Sequence, residues 1–251
     1  MKNIYFTIMA GLLTVAITLT GSSCKKKEQA EAPPPLSPEQ QARMEIIKKG
    51  AEDAKKVNAA EVNGVEITML ELIREMNKIA PKYVKGDEKA APGTTAKVKQ
   101  EALDNLIFAE LAVQEAIKQG ITVSPERIDE VVQLMKKQTG SSEAYQEYLD
   151  GLGITENELK KRIERSHRLE LITAKEIYQK IKIDDKDIRA EYEKNKSVFK
   201  DGSGKPMLYE DAAQIIKKKL IAEAGAVKKN EWGKTLRKNA KIVIAKDGGN
   251  K

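Results

Sequence analysis

Only two stretches of this chain read as β-structure, and they lie at opposite ends of a sequence that otherwise reads as helix. The first is Ala60-Glu61-Val62-Asn63-Gly64-Val65-Glu66-Ile67-Thr68, where short apolar–polar alternations flank Asn-Gly. That pair suits the left-handed backbone of a tight hairpin turn, so the segment is a β-hairpin or a strand with a tight turn. The second is Ala240-Lys241-Ile242-Val243-Ile244, a loose alternation near the C-terminus. An isolated strand is unstable in water. The economical solution pairs the C-terminal strand with the N-terminal one. The expected class is therefore mainly α, a multi-helix core with a small β element joining N-terminal and C-terminal strands.

The helices between them are marked by caps and apolar spacing. Thr68, with Glu71 at the capping-box position, opens a helix that places Leu72, Met76 and Ile79 on one face and ends before Pro81. Tyr83 to Thr95 contains Gly86, Pro92 and Gly93 and reads as a loop. Ala96 to Gln119 is a strong helix, with Leu103, Leu106, Ile107, Leu111, Val113 and Ile117 on one broad stripe. Gly120 stops it. Ser124-Pro125 supplies an N-cap and a first-turn proline. The helix that follows buries Ile128, Val131, Val132 and Met135 and ends at Gly140.

A short helix, Ser142 to Leu149, carries Tyr145 and Tyr148. Thr155 with Glu158 opens a helix expected to reach about Ile181, with Leu159, Ile163, Ala174, Ile177 and Ile181 on one side. Asp184 to Asp187 starts another, running to Asn195. The loop Asp201-Gly202-Ser203-Gly204-Lys205-Pro206 leads to a last helix from Leu208 to about Asn239. Upstream of the hairpin, Arg43 to Lys56 is a charged stretch expected to be helical and loosely attached.

The N-terminus carries a different kind of information. Met1 to Ser23 reads as a signal peptide: Lys2 supplies the charge, Ile4 to Leu19 the apolar run, and Thr20 to Ser23 the small residues before Cys24. The run is shorter than the roughly 20 residues that span a bilayer. Cys24 is the sole cysteine, so it makes no internal disulfide or metal cluster. The arrangement resembles the lipobox of bacterial lipoproteins, in which such a cysteine becomes the lipidated N-terminus. Gly21 departs from that pattern, which usually has an aliphatic residue three places before the cysteine. Lys25, where an aspartate often marks inner-membrane retention, favours the outer membrane. Lys25 to Gln41 is proline-rich and nearly free of apolar residues. It would extend by about 3 Å per residue as a semi-rigid spacer. The chain thus divides into a signal peptide at 1–23, a lipidated cysteine and linker at 24–41, and a folded domain at 42–251.

Charge narrows the functional classes. The net charge is +7, but it is spread over Lys-Lys pairs alternating with Glu and Asp, and aromatic residues make up only 4% of the chain. Nucleic-acid recognition would need a sharper basic cluster or bases stacked on rings, so no nucleic-acid partner is expected. The one histidine, His167, sits mid-helix between Ile163 and Leu171 and reads as a half-buried helical residue. Without a second histidine or a free cysteine it has no zinc ligand set, and Ser166 does not face it on a helix. Asp184, Asp185 and Asp187 suit a helix start, where negative charge meets the positive end of the dipole. Gly202-Ser203-Gly204-Lys205 lacks the spacing of a phosphate loop. No catalytic residue, metal site or cofactor is assigned.

The order of motifs resembles the SurA and PrsA family of extracytoplasmic folding factors. The residues that carry the resemblance are Val62 to Thr68, Ala102-Leu103-Asp104-Asn105-Leu106-Ile107, Gln114 to Ile121, Val123 to Asp129, Gly153 to Leu159 and Ile188 to Lys196. The resemblance implies a helical chaperone core built from N-terminal and C-terminal segments that fold together. It also implies a parvulin prolyl isomerase inserted after the Glu191-Tyr192-Glu193 helix. Here Phe199 to Pro206 occupies that place, too short for a domain of roughly 100 residues. Parvulins also use active-site histidines, and this chain has one.

The expected function is that of an ATP-independent chaperone or client-holding lipoprotein, not an enzyme. Its partners would be unfolded or nascent envelope proteins and, through the anchor, a membrane. It would face the periplasm, with the outer membrane favoured. A homo-oligomer formed by exchange of terminal segments is compatible with ends that must meet. The alternatives are a scaffold for one envelope partner and a degenerate isomerase. Met69, Met76, Met135, Tyr83, Tyr145, Tyr148 and Trp232 read mainly as core. Methionine surfaces also adapt to varied partners, so the expected client-binding residues are Leu72, Met76, Ile79 and Tyr83. Mass spectrometry of the mature protein is expected to find a diacylglyceryl-modified Cys24 at its N-terminus, and Cys24→Ser to release the protein from membranes.

Overall fold

The Asn-Gly pair forms the turn it encodes. The computed structural model describes residues 38–83 and 93–245; the signal peptide, Cys24, most of the linker and most of the loop after Tyr83 lie outside them. Strands β1 (Asn58–Val62) and β2 (Val65–Thr68) pair antiparallel across Asn63 and Gly64, at φ 53° and 86°. Both central residues are left-handed, as a two-residue hairpin with the sheet's own twist requires. Strand β3 (Ile242–Ile244) adds antiparallel to the other side of β1, giving the order β2-β1-β3. The terminal strands therefore meet, and the fold is mainly α with a small β element.

Asn63 does more than turn the chain. Its N–H donates to Lys241 O and its side-chain Oδ1 accepts from Lys241 N, both at 2.8 Å. Its Nδ2 donates to Gln114 Oε1 at 2.7 Å. One residue thus closes the hairpin and clamps the start of β3.

The helices follow their caps. They are α1 (Pro38–Lys55), α2 (Met69–Ile79), α3 (Thr94–Lys118), α4 (Pro125–Thr139), α5 (Ser142–Leu152), α6 (Glu156–Glu176), α7 (Asp185–Asn195) and α8 (Tyr209–Arg237). Thr68, Thr155 and Asp184 each make a full capping box with the residue three places on, a device of about 1 kcal/mol per cap. Helix α1 begins at Pro38, inside the stretch expected to be linker. Lys55 holds its far end by donating to Gly153 O at 2.6 Å. Helix α2 ends at Ile79 as expected, and a 3-10 turn carries the chain through Pro81 to Lys82. Helix α5 runs one turn further than its spacing implied.

Helix α3 is the axis. Ala102, Leu103, Ile107 and Leu111 pack with Val62, Ile67 and Leu72. Phe108, Ala112 and Ala116 pack with Ile172 and Ile177. The expected stripe was too narrow: α3 is buried on two sides, while Ile117, assigned to the stripe, is 58% exposed. Helix α6 lies parallel to α3, since Arg165 meets Glu110 and Lys175 meets Gln119. Helix α8 runs antiparallel, since Arg237 meets Asp104 and Gly233 lies against Phe108. A Cβ on Gly233 would come within 3.2 Å of the Phe108 ring, and one on Gly225 within 3.1 Å of Tyr178. Close approach explains two glycines inside one helix.

Helix α6 does not reach Ile181. It ends at Glu176 and gives way to a 3-10 turn from Tyr178 to Lys180. No glycine or proline marks this break, which falls at Ile177, the C-cap, buried against Phe108, Ala112 and Ala116 of α3. The residue buried on α6 near this end is Ile172, fully enclosed, with Ala174 only half buried.

Two satellite cores sit beyond the ends of α3. At one end, Val132, Tyr145, Leu149, Ile154, Leu159 and Ile163 unite α4, α5 and the start of α6. At the other, Ile188, Tyr192, Ala212 and Ile216 unite α7 with the start of α8.

Asn63→Gly keeps the backbone conformation and the N–H bond to Lys241 O but removes the side-chain bonds to Lys241 N and Gln114, an expected loss of about 1–2 kcal/mol. Asn63→Ala adds left-handed strain of about 1–2 kcal/mol. Thermal denaturation should rank wild type above Asn63→Gly above Asn63→Ala, and hydrogen exchange should show β3 opening in both variants.

Candidate functional site

Four residues were expected to form a binding face, and they do not share one surface. Leu72 is 1% exposed and belongs to the central core, so it presents nothing to a partner. Met76 and Ile79 are half buried and packed on that core. Their spacing correctly put them on the face with Leu72, but that face looks inward at α3. Tyr83 is different. Its hydroxyl donates to Glu101 on α3, and Lys82 joins the same carboxylate at 2.9 Å. The hydroxyl and then the ammonium hold Glu101 below the ordinary carboxylate range, and the same bond raises the Tyr83 phenol. This triad pins the end of α2 to α3.

The most buried charge is Glu110, 4% exposed. Arg165 of α6 pairs with one of its oxygens, and Gln114 Nε2 donates to the other at 2.8 Å. Gln114 Nε2 also donates to Val62 O at 3.1 Å, and Gln114 Oε1 receives Asn63. Arg165, Glu110, Gln114, Asn63 and Lys241 are thereby connected from α6 through α3 to the hairpin turn and the start of β3. The links from Arg165 and Gln114 satisfy a carboxylate that would be costly to bury alone. The arrangement is structural, and Glu110 lines neither of the two clefts described next.

Clefts occur on the satellite cores. One of about 770 Å³ lies among Lys136, Ser141, Tyr145, Asp150 and Glu156. It is polar, and Lys136 pairs with Glu156 at 2.7 Å while lying 5.0 Å from the Tyr145 ring centre. Tyr145 Oη is buried beside the Glu156 carboxylate. Burial, followed by the neighbouring Glu156 carboxylate, raises its pKa. A second, shallower cleft of about 530 Å³ runs between α7 and α8, with Leu220, Ala224 and Val227 on one wall.

Exposed apolar side chains lie along this second arm. Met207 N donates to Phe199 O at 2.9 Å, and Lys200 bridges Pro206. Val198 and Leu208, just outside these contacts on either side, are 72% and 68% exposed. The turn at Asp201–Gly204, with apolar residues symmetrically outside it, contains the signal for this pairing.

The remaining residues take structural roles. His167 Nδ1 lies 3.0 Å from Glu170 Oε2, one turn along the same helix. Asp184 caps α7, and Asp185 receives Arg189 at 2.7 Å. Asp201 Oδ1 accepts from Ser203 N and Lys205 N at 2.9 and 3.0 Å, which shapes the loop. Tyr145 is core as expected, whereas Tyr148 is exposed. Trp232 packs edge-on against Phe108, ring centres 5.4 Å apart. Among the described residues no group of histidine, cysteine and carboxylates is placed to hold a metal ion, and no helix is long and apolar enough to cross a membrane.

Glu101 carries a pH prediction. Its pKa is lowered by folding, so its contribution to stability is present above the ordinary carboxylate pKa and fades as pH falls through its lower folded value. Tyr83→Phe should flatten that acid-side decline in a thermal-melt series by lowering the melting temperature at neutral pH, where the contribution is present, and leaving the acid end nearly unchanged.

A family described as the SurA-like N-terminal domain matches residues 44–173. No curated protein matches the sequence. A solved structure matches with a TM-score of 0.48 and 14% identity, covering 76% of this chain and 99% of that one. It comes from work on the virulence factor PEB4 and the periplasmic protein Cj1289 of Campylobacter jejuni, described as two structurally related SurA-like chaperones.

Proposed function

Because the chain belongs to the family of SurA-like N-terminal domains, we propose that it is an ATP-independent chaperone that holds unfolded proteins in the bacterial envelope. The family match across α1 to α6 carries this reading. The exposed apolar residues of the α7–α8 arm support it. Transient contact with such surface removes client apolar area from water, at about 25 cal/mol per Å². Release follows when the client's own folding buries the same area, so the cycle needs no chemistry.

The protein is a holdase without isomerase activity. The chain between α7 and α8 is a short bridged turn, and no room for a catalytic insert exists there. The lipid on Cys24 anchors it, facing the periplasm, with the outer membrane favoured. The proline-rich linker sets the domain away from the surface.

Purified full-length protein is expected to suppress light scattering by a diluted, urea-unfolded outer-membrane protein at stoichiometric amounts. It is expected to leave the rate of a prolyl-peptide isomerisation assay unchanged. No suppression even at excess overturns the holding function, and catalysis above background overturns the second claim. Crosslinking in cells that captures one dominant partner would favour a dedicated scaffold.

A further inference from the structure

Strand β3 is an edge strand whose backbone alternates in a known sense. Lys241 O and Ala245 N both bond to the β1 side, the latter to Ala59 O at 3.0 Å. In an antiparallel ladder, alternate residues turn their N–H and C=O to the same side. Lys241, Val243 and Ala245 therefore face β1, and Ile242 and Ile244 turn their backbone groups outward. No described segment pairs with that side.

The side chains are as incomplete as the backbone. Ile244 is paired with Ala60 and Ile242 with Val62, so both share the core face of the sheet. Yet Ala60 and Val62 are 2% and 0% exposed, while Ile244 is 46% exposed. The core face runs past the edge of the sheet at Ile244, and no described strand continues it. The usual protections of an edge are charge, proline or a bulge. Ile242-Val243-Ile244 has none; its three residues are β-branched and strongly strand-forming.

We infer that the outer edge of β3 receives an extended, amphipathic segment of an unfolded client as a fourth strand. This rests on the holding function proposed above and gives it a mode of recognition. The two outward residues offer two donors and two acceptors, which only an extended backbone meets together. Apolar residues at alternate client positions would cover Ile242 and Ile244. The positions between would lie beside Val243 and Lys241, where polar or acidic residues fit. A second copy is the poorer occupant, because two three-residue edges bury far less than the roughly 1,200 Å² of a stable interface.

The test is fluorescence anisotropy of a labelled peptide alternating valine and threonine, titrated with purified full-length protein. Antiparallel addition places the valines opposite Ile242 and Ile244. N-methylating the valine amides should then abolish binding, and N-methylating the threonine amides should leave it within about threefold. Ile244→Pro removes one outward N–H and leaves the bonds to β1. It should weaken binding at least tenfold with an unchanged circular-dichroism melt and Trp232 emission. Ile244→Val keeps the N–H and should bind within about threefold.

Equal binding of both methylated peptides would overturn the proposal, since side-chain burial alone would then explain it. A concentration-dependent dimer dissolved by Ile244→Pro would overturn it in favour of a second copy. The scattering assay separates the two levels. A wild-type protein that holds clients but not the alternating peptide overturns strand addition alone. One that holds neither overturns the reading beneath it.

Discussion

A single buried carboxylate organises this molecule. Removing a charge from water costs several kcal/mol unless it is paired and fully hydrogen-bonded. Glu110 escapes that cost only if Arg165 arrives from α6 and Gln114 arrives from the next turn of α3. Gln114 in turn is fixed by Val62 O and Asn63, and Asn63 by Lys241. Satisfying one oxygen pair on α3 thereby dictates where α6, the hairpin and the last strand must lie. Arg165 remains 41% exposed, so its guanidinium keeps much of its hydration and the desolvation cost falls mainly on Glu110. Apolar packing around Ile107, Leu111 and Ile172 supplies the bulk of the free energy; the polar chain selects which packing.

The two satellite cores are held on different terms. Each contains only a handful of buried residues and hangs on one long helix, α6 or α8, that continues into the centre. The α7–α8 arm adds aromatic contacts, with Tyr192 between Phe199 and Tyr209 and its hydroxyl bonded to Met207 O at 2.6 Å. Small cores cannot cover all their own apolar surface. What they leave exposed, Val198 and Leu208 included, is the surface that the proposed holding role would use. Packing is thin at the periphery and tied at the centre.

Local chemistry was legible and neighbour choice was not. Capping boxes at Thr68 and Thr155, the helix start at Asp184, the Asn-Gly turn and the meeting of terminal strands all followed from short patterns and from the instability of lone strands. The face containing Leu72, Met76 and Ile79 was also read correctly, but periodicity defines a face without saying what lies against it. Here it is α3, so the binding role fell on residues that serve the core. Glu110 was invisible because a glutamate within a charged helix looks like solvated surface until its partner, 55 residues away, is placed. Helix α6 ends at a buried Ile177, with no local breaker to announce it. The β3 edge needed its pairing on one side before the bareness of the other had meaning.

Strand β3 closes a ladder on β1, and the Asn63–Lys241 bond beside it joins positions 178 apart in sequence. Joining segments so far apart carries the entropy of a very long loop, and a ribosome releases β1 long before β3. Until β3 emerges, the chain has a hairpin lacking its third strand, and for most of that interval a central helix lacking α8. Helices and caps can form as they emerge, yet the sheet and the core that leans on it wait for a strand made much later. A polypeptide built this way stays loose while most of the domain is being made.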